Sequence, residues 1–125
     1  RAIAYSKERK AFGTEISNHQ AIAFKLADMA VKVENARNLC LKAAWLKDNH
    51  KPFSIASAMA KLYAADIAME VTTEAVQIHG GMGYSRDLPV ERFYRDSRIN
   101  RIFEGTNEIQ KMVIAKEVLK KNGKM

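Results

Sequence analysis

The sequence predicts an all-α fold, an antiparallel up-down four-helix bundle with one additional short helix. Composition is the first reason, because 47% of the 125 residues are apolar while glycine occurs six times and proline only twice. The second reason is a pair of long stretches in which apolar residues recur alternately every four and three positions. We therefore expect little or no strand.

The first segment, from Arg1 to Lys10, reads as the last turns of a helix, and Gly13 suits its C-terminal cap. The polar stretch from Thr14 to Asn18 then predicts a loop. Because the chain starts without a methionine and within a helical pattern, we expect residues 1–125 to be one domain cut from a longer polypeptide.

A second helix is predicted from near Asn18 to near Lys47. Its heptad seam consists of Ile22, Leu26, Met29, Val33, Ala36, Cys40 and Ala43. A helix this long is stabilised mainly by a partner that covers its seam. We expect Cys40, the only cysteine, to be a small core residue, and a single cysteine excludes an internal disulfide.

The third helix follows a break at Asn49-His50-Lys51-Pro52, and Ser54 is placed to cap it. The same spacing recurs in Ala58, Leu62, Ala65, Met69, Thr72, Val76 and His79. Two long helices joined by so short a turn run antiparallel.

The remaining elements are a short helix and a last long one. Pro89 suits the first turn of a helix from Val90 to about Ser97, and Thr106 is placed to cap a helix that runs to about Lys120. The basic stretch from Lys120 to Lys124 predicts a solvated tail.

The formal net charge of +7 is compatible with an anionic partner, either nucleic acid or a phosphate-bearing molecule, and equally with solubility alone. No apolar run approaches the roughly 20 residues of a membrane span. The three histidines lack ligand spacing, so we expect no metal site.

Glu104 stands directly before a glycine and the last helix. Gly105 permits a sharp turn and Thr106 fixes the start of the helix, so the carboxylate projects from a rigid frame. Such a carboxylate is a candidate general base. The alternative interpretation is that Glu104 only stabilises the helix N-terminus through the helix dipole.

Two further features each have a functional and a structural interpretation. Gly80-Gly81-Met82-Gly83 is rich enough in glycine to cradle a phosphate, but it follows a helix and lacks the Lys-Ser/Thr of a P-loop. A helix C-cap with a tight turn is therefore the simpler interpretation. Arg9 with Phe12 either clamps a phosphate and an adenine ring, or is a surface charge above a core phenylalanine.

Several motifs are informative when they are read together. They are Glu8-Arg9-Lys10-Ala11-Phe12-Gly13, His19-Gln20, Leu26-Ala27-Asp28-Met29, the run from Ala75 to Tyr84, Glu91-Arg92 with Arg95-Asp96, and the run from Ile102 to Thr106. In this order and spacing they resemble the C-terminal helical domain of acyl-CoA dehydrogenases, above all the short- and medium-chain type. The resemblance extends from about Arg1 to about Leu119. The N-terminal helical domain and middle β domain of that family are absent from these residues.

The resemblance implies a flavoenzyme of fatty acid β-oxidation that uses FAD to oxidise acyl-CoA to trans-2-enoyl-CoA. It also implies electron-transferring flavoprotein as the electron acceptor, and a homodimer or homotetramer that binds neither nucleic acid nor membranes. The expected location is the mitochondrial matrix in a eukaryote and the cytoplasm in a bacterium.

The resemblance further assigns roles to individual residues, with Glu104 as the catalytic base. Phe103 and Gly105 fall at substrate-binding positions, although tyrosine is common where Phe103 stands. The positions that reach the FAD of a neighbouring subunit are Arg9, Phe12, Gln77 and Gly81. Thr106 and Glu108 fall beside the FAD of their own subunit, and glutamine is frequent where Glu108 stands.

Two other classes stay open at this point. A related acyl-CoA oxidase would share the domain, and its reduced flavin would react rapidly with oxygen. A non-catalytic basic bundle that binds nucleic acid would carry no flavin, and its affinity would fall steeply with salt.

Overall fold

A computed structural model describes residues 1–122 of the chain and the side chains as far as Lys120. Its helices are α1 (Ala2–Glu8), α2 (Gln20–Asp48), α3 (Ser54–His79), α4 (Gly81–Tyr84), α5 (Val90–Ser97) and α6 (Asn107–Asn122). Two short strands, β1 (Lys10–Ala11) and β2 (Thr14–Glu15), form an antiparallel hairpin, and 3₁₀ turns span Ile16–Asn18 and Arg98–Arg101. The predicted all-α helical class is confirmed. The solvated tail predicted from Lys120 begins inside α6, and its last residues lie outside the described part.

α3 is the central helix, because it contacts α1, α2, α4, α5 and α6. Neighbours on several sides explain its buried residues, which are Ala56, Ala58, Ala60, Ala65, Ile67, Ile78 and His79. Ion pairs join Lys25 to Glu74 and Lys32 to Glu70, so the beginning of α2 lies beside the end of α3. The predicted antiparallel pairing is confirmed.

α2 is longer than α3 but contains no buried residue. Cys40 is exposed, so its predicted place in the core is wrong. Val33 is exposed as well. The residues just before these two, Lys32 and Leu39, are half-buried against α3. The reason is that a straight α-helix repeats every 3.6 residues and drifts away from a strict heptad. No helix in residues 1–122 is both long and apolar enough to cross a membrane.

Gly13 does not cap the first helix, which ends at Glu8 with Arg9 in an extended conformation after it. Instead Phe12 and Gly13 form the two-residue turn of the hairpin, with φ of 52° and 82°. Positive φ at both central residues characterises the turn that matches the twist of a β-hairpin. The loop predicted after Gly13 is accordingly replaced by β2 and a 3₁₀ turn.

The two predicted helix caps have opposite outcomes. Ser54 does not cap α3, because it is the first residue of the helix and Phe53 occupies the N-cap position. The Phe53 carbonyl accepts a hydrogen bond from the Ser57 N–H at 2.8 Å. Thr106 does cap α6, since its Oγ1 accepts a hydrogen bond from the Ile109 N–H at 3.3 Å.

Candidate functional site

An open groove of about 500 Å³ lies where α1, α3 and α4 meet. Its lining residues are Tyr5, Arg9, Ile16, Gln77, Ile78, His79, Gly80, Gly81 and Met82. The groove therefore brings together Arg9, Gln77 and Gly81, three residues predicted to bind one cofactor.

The wall of this groove is an aromatic stack that the sequence did not reveal. The rings of Tyr5 and His79 are stacked with centroids 4.4 Å apart, and His79 is buried. His79 Nδ1 lies 2.7 Å from the Ala75 carbonyl oxygen, which can only accept, so Nδ1 carries a proton. The stack holds α1 against the last turn of α3, and this contact fixes Arg9 relative to Gln77.

The polar groups of the groove face outward and are free to bind. Among the residues that the structure describes, neither the Arg9 nor the Gln77 side chain has a hydrogen-bond or ion-pair partner. A Cβ at Gly81 would meet no atom within 4 Å, so packing inside this chain does not require glycine there. Gly83 is different, because its Cβ would lie 2.6 Å from the Val76 carbonyl oxygen. Gly81 thus leaves backbone open to a group from outside the chain.

Gly80 confirms the structural interpretation of the glycine-rich stretch in part. It follows the last residue of α3 with φ 58° and ψ −139°, a conformation that favours glycine. The glycines after it do not form a tight turn, since Gly81 and Gly83 belong to α4.

Phe12 is 97% exposed, so it is not a core residue and the interpretation of Arg9 as a charge above a core phenylalanine is wrong. Its positive φ is unusual for a bulky residue. The nearby His19 ring meets Phe12 edge-on at 6.0 Å, and His19 Nε2 lies 3.1 Å from the Ala11 carbonyl oxygen. The hairpin therefore holds an aromatic ring in solvent in a strained conformation, which is a feature of binding sites.

Residues 102–106, here called the Glu104 turn, connect the second 3₁₀ turn to α6. Glu104 has φ 54° and Gly105 has φ 88°, so two successive residues are left-handed. Glu104 is exposed, and within the described residues neither its carboxylate nor its backbone N–H has a hydrogen-bond or ion-pair partner. The turn thus presents a carboxylate and an N–H on one residue.

The backbone conformation at position 105, with φ of 88°, favours glycine, and the helix that follows holds this residue in place. A Cβ at Gly105 would lie 2.8 Å from Gln110 Nε2, and this nitrogen donates a hydrogen bond to the Gly105 carbonyl oxygen at 3.2 Å. Glu108 lies in the first turn of α6. Hydrogen bonds from its own backbone N–H and, to a smaller extent, from the Thr106 hydroxyl lower the pKa of its carboxyl below the ordinary value. Glu108 therefore interacts with the helix N-terminus, a role that the alternative interpretation gave to Glu104.

Residues 1–119 match the family described as "Acyl-CoA dehydrogenase, C-terminal domain". This chain belongs to the acyl-CoA dehydrogenase family. The mitochondrial short-chain specific acyl-CoA dehydrogenase of Bos taurus is 54% identical over 119 residues, which cover 95% of this chain and 29% of that protein. The butyryl-CoA dehydrogenase of Megasphaera elsdenii aligns with a TM-score of 0.93 and 53% identity, over 94% of this chain and 31% of its own. The FAD complex of PigA aligns with a TM-score of 0.91 and 31% identity, over 94% of this chain and 30% of its own.

The Glu104 turn and the groove are separate places on this acyl-CoA dehydrogenase domain. The residues around the turn bond to Asp66 of α3, whereas Gln77 lies eleven residues further along the helix. At 1.5 Å per residue, about 16 Å of helix separates Asp66 from Gln77. The structure therefore brings Phe103, Glu104, Gly105, Thr106 and Glu108 together, and it places Arg9, Gln77 and Gly81 elsewhere.

A larger cavity of about 750 Å³ lies between α3 and α5 and contains none of the predicted site residues. It is lined by Met69, Val76, Tyr84, Arg86, Glu91, Tyr94, Arg95 and Arg98.

Sequence reasoning also missed the polar side chains beneath the Glu104 turn. Asn107 is 2% exposed and bonds to Lys61 and Asp66 of α3, and Asp66 is ion-paired with Arg101. A buried asparagine directly after the capping Thr106 is a weak signal, because asparagine is also common at the ends of helices that face solvent.

Proposed function

We propose that this chain is the C-terminal domain of an FAD-dependent acyl-CoA dehydrogenase, which oxidises acyl-CoA thioesters to trans-2-enoyl-CoA. The observation that carries the proposal is Glu104, a carboxylate without a partner among the described residues, held on a left-handed turn in a chain of this family. The chain spans about 30% of the length of the relatives that it matches, so the activity belongs to a longer protein.

Glu104 acts through two groups. Its carboxylate removes the proton α to the thioester carbonyl, and its backbone N–H donates a hydrogen bond to the carbonyl oxygen where negative charge develops. Phe103 and Gly105, on either side, contact the substrate. Bound FAD would supply the acceptor for the hydride that leaves the β carbon.

The groove offers groups that suit the pyrophosphate and adenosine of FAD. Arg9 offers a cation to the pyrophosphate, Gln77 an amide, and Gly81 open backbone. The exposed Phe12 ring offers a surface for the adenosine. The other proposed FAD contacts, Thr106 and Glu108, are in the Glu104 turn and the helix after it.

We attribute the two sets of contacts to two FAD molecules in a homodimer or homotetramer. The groove reaches the FAD of the neighbouring subunit, and Thr106 with Glu108 reach the FAD of their own. Electron-transferring flavoprotein is the proposed electron acceptor. The location is proposed to be the mitochondrial matrix in a eukaryote and the cytoplasm in a bacterium.

Glu104→Gln in the full-length protein tests this function. The change keeps the backbone N–H and the size of the side chain but removes the basic oxygen. We expect acyl-CoA still to perturb the flavin spectrum, while anaerobic single-turnover flavin reduction slows by about 10⁴-fold or more, the upper end for a general base.

Glu34→Gln, at an exposed position of α2, is the matched control, and the flavin of this variant should be reduced at the wild-type rate. Slowing of Glu104→Gln by less than about tenfold would show that another residue is the base. Rapid reaction of the reduced wild-type flavin with oxygen would indicate an acyl-CoA oxidase instead.

A further inference from the structure

Arg101 and Asn107 stand three residues before and three residues after Glu104, and both bind the same oxygen atom of α3. Arg101 Nε lies 2.8 Å from Asp66 Oδ1, and Asn107 Nδ2 donates a hydrogen bond to that oxygen at 2.9 Å. Asp66, Arg101 and Asn107 are here called the clamp. Because the clamp binds both ends of the Glu104 turn at one point, the turn cannot shift along α3 without breaking one of these bonds.

The orientation of the Asn107 side chain is fixed by opposite charges. Its Oδ1 accepts a hydrogen bond from Lys61 Nζ at 3.0 Å, while its Nδ2 faces the Asp66 carboxylate. Reversing the amide would place nitrogen against the ammonium and oxygen against the carboxylate, so one orientation is strongly preferred. A buried polar group with both bonds satisfied makes this end of α6 rigid.

We infer that the clamp positions Glu104 for proton abstraction, and this inference rests on the proposed role of Glu104 as the base. Left-handed backbone is unfavourable for a residue with a Cβ, so the turn relaxes unless its surroundings hold it. Asp66, Arg101 and Asn107 are positioning residues. They act by fixing the direction of the Glu104 carboxylate and backbone N–H.

The experiment uses the full-length, FAD-loaded protein with Asp66→Ala and, separately, Arg101→Met. Flavin reduction is followed in an anaerobic single turnover with the straight-chain acyl-CoA that reduces the wild-type flavin fastest. Misplacement of a reacting group by about 1 Å slows reactions by about 100-fold, so we expect reduction to slow by about 10- to 100-fold per bound flavin. FAD content and the Kd for acyl-CoA should stay at wild-type values.

Two further variants separate positioning from general stability. Asp66→Asn keeps an acceptor oxygen and should recover most of the rate. Glu70→Ala removes another carboxylate of α3, which is paired with Lys32 of α2 and lies outside the clamp. The flavin of this variant should be reduced at the wild-type rate. A lower melting temperature with a rate within about twofold of wild type, in both clamp variants, would overturn the inference.

If Asp66→Ala fails to fold, Arg101→Met alone tests whether the clamp positions Glu104. This variant should fold, because the Arg101 side chain is 40% exposed and its loss leaves no buried group unpaired. Glu104→Gln in the same assay separates the two proposals. If Glu104→Gln abolishes flavin reduction while none of the clamp variants that fold slows it, only the positioning inference fails. If Glu104→Gln reduces normally, the base is elsewhere and the positioning inference fails with it.

Discussion

The Glu104 turn and the groove are built in opposite ways. Hydrogen bonds inside this domain hold the turn. Asp66 and the Thr106 hydroxyl oxygen accept two of them, and the Gln110 side chain donates the third. The groove has a fixed wall, the Tyr5–His79 stack, but the side chains of Arg9 and Gln77 have no polar partner among the described residues. The turn is therefore organised before any ligand arrives, whereas the groove offers groups that only a ligand satisfies.

This difference matches the two proposed tasks. A base must be held accurately, because a small misplacement slows the reaction strongly. Groups that bind an extended anionic cofactor from another subunit gain their partners only on assembly, so they remain open in one chain. Substitutions in the groove should accordingly change cofactor affinity and leave folding unchanged, and substitutions in the turn should change folding or chemistry.

The largest effect on cofactor binding is expected for Arg9→Ala and Gln77→Ala in the full-length protein. Hydrogen bonds to charged groups contribute about 1.5–3 kcal/mol, so each change should weaken FAD binding by about 10- to 150-fold. Thermal unfolding of the apoprotein should not change. Titration with FAD and gel filtration measure the affinity and the oligomer together.

Lys7→Ala is the matched control, since it removes one positive charge from an exposed position of α1 outside the groove. Equal losses for Arg9→Ala and Lys7→Ala would mean that only net charge matters. Unchanged flavin content and oligomeric state in the Arg9→Ala, Gln77→Ala double variant would contradict the proposal that these residues bridge subunits through FAD.

A smaller effect is the difference in stability expected between Gly105→Ala and Gly81→Ala. Gly105 has φ 88° and its Cβ would press on Gln110, so alanine should lower the free energy of unfolding by about 1–2 kcal/mol. Gly81 has open space and lies in a helix, so alanine there should not lower the free energy of unfolding and should weaken only FAD binding. Denaturant unfolding of the two apoproteins measures the difference. Equal losses of stability would show that the groove is as rigidly built as the turn.

The sequence predicted the helices well because periodic apolar residues specify them locally. It placed α2, α3, α5 and α6 close to their observed bounds, and it located the Thr106 cap. It could not tell that α3 is central and α2 peripheral, since both have the same four-three spacing. The misplaced Cys40 follows from this, because burial depends on how many neighbours a helix has.

The candidate site was predictable where a residue type stands out along the chain. Glu104 beside Gly105, and Arg9 with Phe12, have local signatures. Asp66 does not, because it is one acidic residue among many on a long helix, and its role depends on Arg101 and Asn107 more than thirty positions away. Contacts of that range arise from packing and are invisible to periodicity.

The smallest effect, a change in the free energy of unfolding, is expected for the Lys25–Glu74 ion pair. This pair joins α2 to α3 about one turn before Gln77. Both side chains are 37% exposed, so water and salt screen the pair. A double-mutant cycle with Lys25→Met and Glu74→Gln should give a coupling energy of about 0.2–1 kcal/mol in urea unfolding, and this coupling should shrink at about 1 M salt. FAD affinity should not change, because the Tyr5–His79 stack holds the wall of the groove and neither charged side chain is part of that stack. A coupling that persisted at high salt and was accompanied by loss of FAD would show that α2 also organises the groove, and the contrast with the Glu104 turn would disappear.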